Sequence, residues 1–80
     1  MYNVILDRPL NVRITCYLLK TFANARNCIR EELLYIKSKN ELTDDELYHI
    51  DFLIETNALG YDITLSNGKN YKGWTAYYEE

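Results

Sequence analysis

The segment Thr43-Asp44-Asp45-Glu46 constrains the fold more than any other feature of the sequence, because it fixes the start of a helix. A threonine followed three residues later by a glutamate forms a capping box. The threonine hydroxyl accepts from the glutamate amide, and the glutamate carboxylate accepts from the threonine amide. The two aspartates place negative charge at the positive end of the helix dipole. The pattern predicts a helix that begins directly after Thr43.

Apolar residues recur at helical spacing after this cap and are expected to face the core. We expect Gly60 to close the helix, because glycine is favoured at the left-handed position that follows a helix end. Leu42 and Leu47 occupy the positions of a hydrophobic staple across the cap. The expected buried stripe consists of Leu47, Ile50, Leu53, Ile54 and Ala58.

Residues 61–78 have the pattern of a β-hairpin. A run that alternates apolar and polar residues is followed by Asn67-Gly68, the strongest short-range hairpin signal, and by a second run rich in tyrosine. The two runs are therefore expected to pair as antiparallel strands.

The register of this hairpin needs an adjustment. A two-residue turn would pair Leu65 with Asn70, an apolar residue with a polar one. We expect a β-bulge at Gly73 to correct the mismatch, because a bulge moves the following side chains to the other face. The residues then expected on a common face, with the tryptophan in the core, are Trp74, Ala76 and Tyr78.

The first half of the chain predicts one helix and one or two strands. Residues 23–39 have helical periodicity and end in lysines, which the carboxyl end of a helix dipole favours. The short apolar run Val4-Ile5-Leu6 reads as a strand that ends before Pro9. The expected buried face of the helix consists of Phe22, Ala25, Ile29, Leu33 and Ile36.

Residues 12–22 fit two interpretations. β-Branched and aromatic residues alternate with polar ones, which favours a strand, and we take the strand as the prediction. A helix that continues from Leu10 is the main competitor, because the same segment also fits a helical stripe. The face expected to be buried in the strand consists of Val12, Ile14, Cys16 and Leu18, and the stripe of the helix consists of Leu10, Ile14, Tyr17, Leu18 and Phe22.

These elements predict a single α+β domain over residues 1–80, since a chain of this length forms one domain. The fold is expected to be a small antiparallel sheet of three to four strands that includes the C-terminal β-hairpin. Both helices would pack on one face of the sheet and leave the other face open. A homodimer is one arrangement that would cover this open face.

Charge and composition exclude several function classes. The net charge of −3 argues against general attraction to nucleic acid or to anionic lipid. No run approaches the roughly 20 apolar residues that cross a bilayer, and the first residues do not resemble a signal peptide. Two cysteines, Cys16 and Cys28, do not make a disulfide framework and are expected to behave as small buried hydrophobes. We therefore expect a cytoplasmic protein.

The sequence offers no arrangement of residues suited to catalysis, so we predict that the chain is not an enzyme. The two cysteines lack metal-ligand spacing, and we expect neither metal nor cofactor. His49 lies beside the stripe of the second helix, where a surface or boundary position explains it. The three glycines are accounted for by a helix end, a turn and a bulge, which leaves no phosphate-binding loop.

Two surfaces remain as candidates for binding another protein. The acids of the second helix form a negative face that could steer association with a basic groove. The tyrosines of the C-terminal hairpin could supply contact area, because tyrosine is enriched at protein interfaces. The predicted partner-binding residues are Asp44, Asp45, Asp51, Glu55, Tyr71, Tyr77 and Tyr78.

In its length, acidity, element order and abundance of tyrosine and asparagine, the chain resembles small phage accessory proteins, among them anti-CRISPR inhibitors. The resemblance implies a stoichiometric inhibitor that occupies the nucleic-acid-binding surface of a larger complex, without binding nucleic acid itself. Two alternatives stay open. Lys69 and Lys72 lie among the aromatic residues of the hairpin, so a sheet face could stack single-stranded bases. The chain could also be a subunit that completes the active site of an enzyme.

Overall fold

A computed structural model describes residues 1–79, and its six elements follow the order β-β-α-α-β-β. This arrangement confirms the α+β fold class, and it resolves residues 12–19 as a strand rather than a helix. None of the helices within residues 1–79 is long and apolar enough to cross a membrane. The elements are β1 (Tyr2–Arg8), β2 (Val12–Leu19), α1 (Phe22–Lys39), α2 (Asp44–Glu55), β3 (Gly60–Thr64) and β4 (Asn70–Tyr77).

The four strands form one antiparallel sheet in the order β2-β1-β4-β3. The first and last strands of the chain therefore lie side by side at the centre, and β2 and β3 form the edges. The Met1 amino group donates to the Tyr78 carbonyl over 3.0 Å, and the Tyr78 amide donates to the Met1 carbonyl over the same distance. These two bonds extend the central pairing beyond the strands.

The core lies between one face of the sheet and the two helices. Alternation along β1 turns Val4 and Leu6 toward the helices and Ile5 toward the opposite face. The two helices contribute unequally, because α1 buries several apolar side chains completely whereas α2 buries only Ile50 to that extent. The buried core consists of Val4, Leu6, Ala25, Ile29, Leu33, Ile36, Ile50, Tyr61, Ile63, Leu65 and Tyr71.

Strand β2 contains a bulge that the sequence analysis did not include. Tyr17 and Leu18 together lie opposite Asn3, whose side-chain oxygen accepts from the Leu18 amide over 3.2 Å. Leu18 adopts a left-handed φ of 57° and is 63% exposed. Its predicted burial is therefore wrong, and so is that of Val12 at the other end of the strand, which is also exposed.

The C-terminal hairpin shifts its register at the turn and not at Gly73. The Leu65 amide donates to the Lys69 carbonyl over 2.9 Å, and the Gly68 amide donates to the Leu65 carbonyl over 2.9 Å. The loop therefore has three residues, and Gly68 supplies the positive φ of 88° that such a loop requires. Because the extra loop residue restores the matching of apolar faces, Ile63 pairs with Tyr71 and the predicted bulge is absent from a continuous register.

Gly73 is needed for a different reason. It pairs with Tyr61, and a Cβ atom built on it would lie 2.7 Å from two ring carbons of that tyrosine. The glycine thus makes room for the Tyr61 ring on the core face. Trp74 consequently points to the opposite, open face, where it pairs with Ile5, so its predicted place in the core is wrong.

Helix α2 ends earlier than the sequence predicted. Thr56 follows its last residue, and Asn57 adopts the left-handed conformation with a φ of 55°. Asparagine tolerates this region better than most residues, which explains how the chain leaves the helix without a glycine. Gly60 is therefore the first residue of β3 and does not close the helix as expected.

Candidate protein-interaction surface

Helix α2 is fixed at its amino end by the predicted capping box. The Thr43 amide donates to Glu46 over 2.9 Å, and the Glu46 amide donates to the Thr43 hydroxyl over 3.2 Å. Glu46 also accepts from the Ser66 amide in the hairpin loop over 2.8 Å. The amides of Thr43 and then Ser66 lower the pKa of Glu46, because both bonds favour the ionised carboxylate. One side chain thus caps the helix and ties it to the hairpin.

The outer face of α2 carries two large exposed rings. Tyr48 is 75% exposed and Phe52 is 52% exposed. The two residues are four positions apart on one helix, so their side chains project from neighbouring places on the same face. The helix turns its fully buried residue, Ile50, toward the core. The two rings lie on the other side of the helix and do not contribute to the core.

The predicted acidic residues lie around these rings. Asp44, Asp45 and Glu55 are exposed, and Asp51 is partly exposed and accepts from Lys37 of α1 over 2.9 Å. Spacings of three, four and seven residues place carboxylates and rings on adjacent strips of the helix surface. We name this set the α2 outer face, and it consists of Asp44, Asp45, Tyr48, Asp51, Phe52 and Glu55.

Tyr48 and Phe52 were missed by the sequence analysis, although the sequence carried a signal for them. The predicted buried stripe of α2 leaves both positions on the solvent side of the helix. A large apolar residue at such a position needs either a second packing partner or an intermolecular role. The signal was therefore the conflict between residue type and helical position.

The three predicted tyrosines do not form one exposed surface. Tyr71 is only 4% exposed, and its hydroxyl accepts from the Asn40 side chain over 3.2 Å, so it belongs to the core and presents no contact area. Tyr77 is 63% exposed and packs against Tyr2 at a centroid distance of 5.2 Å. Tyr78 is half-buried beside Met1. None of these rings lies on the helix that carries the acids.

The open face of the sheet has a small apolar centre with cations beside it. The ring of Trp74 lies 5.3 Å from the Arg13 guanidinium and 5.7 Å from the Lys72 ammonium. Arg13 also donates twice to Asp7, over 2.7 and 2.9 Å. This hydrogen bonding lowers the pKa of Asp7, because it favours the ionised carboxylate.

A buried ion pair joins β1 to α1. Arg8 donates to both carboxylate oxygens of Glu32 over 2.8 Å, and the carboxylate is only 4% exposed. The guanidinium also lies over the Tyr35 ring, 3.8 Å from its centroid. Close by, the buried hydroxyl of Tyr61 has no hydrogen-bond partner among residues 1–79, and burial raises the pKa of this tyrosine. The Arg8–Glu32 pair thus holds α1 on the sheet.

An open cleft of about 760 Å³ lies between the two hairpin turns. Its lining is dominated by turn residues, among them Leu10, Asn67 and Lys69, and brings no acid, base and nucleophile together. His49 is exposed on α2. Within residues 1–79, no three histidine, cysteine, aspartate or glutamate side chains converge in a way that could hold a metal ion.

Comparison of this chain with protein-family models, with curated proteins and with solved structures finds no match. The geometry and charge of the molecule itself are therefore the basis on which we infer its function.

Proposed function

We propose that this chain is a stoichiometric inhibitor or regulator that binds a larger, nucleic-acid-handling protein through the α2 outer face. The observation that carries the proposal is the pair of exposed rings, Tyr48 and Phe52, surrounded by carboxylates on one helix. Inhibition of a bacterial defence complex, the function implied by the resemblance to anti-CRISPR proteins, would be one case of such binding.

The rings are suited to supply most of the binding free energy. Aromatic residues dominate interface hot spots because each buries a large area at little cost in side-chain entropy. Tyr48 adds a hydroxyl that can find a polar partner at the rim of an interface. A groove that accepts a helix reads side chains at spacings of three, four and seven residues, which is the spacing of the rings and acids here.

The carboxylates are suited to select a basic partner and to accelerate association. A cluster of like charges raises the association rate with an oppositely charged surface, and the effect weakens with salt. Proteins that handle nucleic acid carry basic grooves for phosphate groups. A helix edged with carboxylates can occupy such a groove, so a nucleic-acid-handling protein is the partner class that fits best.

The test is affinity capture from a host lysate with the immobilised chain, followed by measured binding to the protein that is captured. We compare two variants that each remove four negative charges. The first replaces the acids of the α2 outer face, as Asp44→Asn, Asp45→Asn, Asp51→Asn and Glu55→Gln. The matched control replaces exposed acids elsewhere, as Glu31→Gln, Glu41→Gln, Asp62→Asn and Glu79→Gln.

We expect the first variant to associate at least about tenfold more slowly and to lose most of the salt dependence of its association rate. The control variant should bind like the original chain. If neither variant is weakened, the acidic face is excluded as the binding surface. If both variants are weakened equally, binding depends on net charge alone, and the acidic face is excluded as well.

A second candidate function is the binding of single-stranded nucleic acid on the open sheet face. The observation that favours it is Trp74, which lies on that face with Arg13 and Lys72 beside its ring. Bases stack on aromatic rings, and neighbouring cations contact the phosphates. Two facts weigh against it: Arg13 is already paired with Asp7, and the net charge is −3.

This candidate is tested with labelled single-stranded oligonucleotides in fluorescence anisotropy at two salt concentrations. Trp74 is the only tryptophan, so quenching of its emission reports contact directly. Salt-sensitive binding that quenches Trp74 and is lost in Trp74→Ala would place nucleic acid ahead of a protein partner. Unchanged anisotropy at low salt would remove this candidate.

A further inference from the structure

The two cysteines meet in one cleft, although they are far apart in sequence. Cys16 lies on the edge strand β2 and Cys28 on α1, and both are half-buried free thiols at the margin of the core. They line the same open cleft, which has a volume of about 240 Å³. Their predicted role as small buried hydrophobes therefore describes only part of their environment, because solvent can reach the site.

The surroundings keep the Cys28 sulfur protonated near neutral pH. Burial, followed by the neighbouring Cys16 thiol, raises the pKa of Cys28 to about 11. Since the thiolate is the reactive form, oxidation that starts at Cys28 is slow at neutral pH and becomes faster as the pH rises. The other ionisable groups that line this cleft are Arg8, Glu31, Glu32 and Tyr35.

We propose that Cys16 and Cys28 are an oxidisable dithiol, a modification site that reacts with a peroxide or a small disulfide and closes into an internal disulfide. With hydrogen peroxide, one sulfur attacks the O–O bond and gives a sulfenic acid and a first water. The second sulfur then displaces the remaining oxygen as a second water while the S–S bond forms. The two thiols lose two hydrogens, and the peroxide is reduced to two molecules of water. With a small disulfide, one protein thiol forms a mixed disulfide and releases the first small thiol, and the second protein thiol then displaces the other small thiol as the internal S–S bond forms.

The bond would join the edge of the sheet to the helix that covers it. Strand β2 has a neighbouring strand on one side only, and several of its side chains, among them Tyr17 and Leu18, are exposed. A disulfide from Cys16 to α1 would restrict the unfolded chain and hold this edge against the core. The oxidised form is therefore expected to unfold at a temperature several degrees higher than the reduced form.

The experiment treats the reduced chain with hydrogen peroxide or, separately, with oxidised glutathione at about pH 8, above neutrality because the thiolate is the reactive form. We expect a monomer whose intact mass is lower by about 2 Da, the mass of two hydrogens. Trypsin, applied without reductant, should release peptides 14–20 and 27–30 as one cross-linked species that dithiothreitol separates. The unfolding temperature should rise on oxidation and return on reduction.

The variants Cys16→Ala and Cys28→Ala are matched controls, because each removes one thiol and leaves the other. Neither should show the 2 Da loss or the rise in unfolding temperature. Disulfide-linked dimers, glutathione adducts without the internal bond, or sulfinic acids as the only products would each overturn the proposal. Because the dithiol is on β2 and α1, its failure would leave the binding role of the α2 outer face untouched.

Discussion

The two helices are held on the molecule in different ways. Helix α1 buries Ala25, Ile29, Leu33 and Ile36 completely, and its Glu32 forms a buried ion pair with Arg8 of the sheet. Helix α2 buries only Ile50 to the same extent. Its polar contacts with the rest of the molecule, through Glu46 and Asp51, lie near the surface. Helix α1 thus forms much of the core, whereas α2 packs against the core mainly through one residue.

This difference bears on where a binding surface can be placed. A side chain that stabilises the core cannot be exchanged without a cost in folding, whereas an exposed one can. The outward side chains of α2 are therefore free to be selected for contact with another molecule.

The largest effect is expected for Glu32→Gln. The substitution leaves the Arg8 guanidinium without its counter-ion in a site where only 24% of its side chain is exposed. Removing one partner of a buried ion pair typically costs 3–5 kcal/mol, and we expect about 3 kcal/mol because Arg8 keeps some access to water. Urea denaturation followed by circular dichroism measures the loss.

The control for this prediction is the double substitution Arg8→Met with Glu32→Leu. Replacing both charges by apolar groups of similar size removes the unpaired charge and is often close to neutral. A double variant that is more stable than Glu32→Gln alone supports the comparison. If Glu32→Gln unfolds at the same urea concentration as the original chain, α1 is not held by this pair.

A smaller effect is expected for Thr43→Ala. The substitution removes the hydroxyl that accepts from the Glu46 amide, and the loss of such a cap costs about 1 kcal/mol. Thr21→Ala is the matched variant, because Thr21 caps α1 by the same kind of bond to the Asn24 amide. Hydrogen exchange should show that Thr43→Ala opens the first turn of α2 more than the core. If the amides of the whole chain open to the same extent, α2 is held as firmly as α1, which would contradict the comparison of the two helices.

Helix α2 should also contribute to the pH dependence of stability, through Glu46. The pKa of Glu46 is lowered in the folded state, chiefly by the Thr43 amide, so the unfolded chain binds a proton more readily. The carboxylate therefore stabilises the fold above the ordinary glutamate pKa of about 4.3, and this stabilisation is lost as the pH falls through the lower folded value. Between these two pKa values, the slope of the unfolding free energy against pH should be shallower in Glu46→Gln than in the original chain.

The control is Glu41→Gln, since Glu41 is an exposed glutamate outside the capping box. Its slope should equal that of the original chain. If the slope of Glu46→Gln equals the slopes of the original chain and of Glu41→Gln, the capping carboxylate contributes nothing to the linkage between folding and protonation.

The sequence predicted those features that depend on neighbouring residues. The capping box at Thr43 and Glu46 is complete within four residues, and the alternation of β3 follows from the two-residue period of a strand. The α+β class followed from the order of these local patterns. The acidic residues of α2 were placed correctly on an exposed or partly exposed face, because their positions follow from the helix start.

Other features depend on which residues meet in space, and the local sequence did not predict them. Nothing in the sequence around Arg8 indicates that Glu32 is its partner, because the contact needs α1 to cross the sheet. The three-residue loop at Gly68 and the two-residue turn were both compatible with Asn67-Gly68, and the choice between them decides on which face Trp74 lies. Tyr71 was assigned to the surface for the same reason.

The smallest effect on folding is expected where the effect on binding is largest. Tyr48→Ala with Phe52→Ala removes two exposed rings, and each surface change should alter the unfolding free energy by less than about 0.5 kcal/mol. If these rings are the hot spots of the interface, each costs at least about 2 kcal/mol of binding free energy, or about thirtyfold in affinity. Leu34→Ala, another exposed apolar residue but on α1, is the matched control and should bind normally. A double variant that folds and still captures the same partner at full affinity would show that binding uses another face.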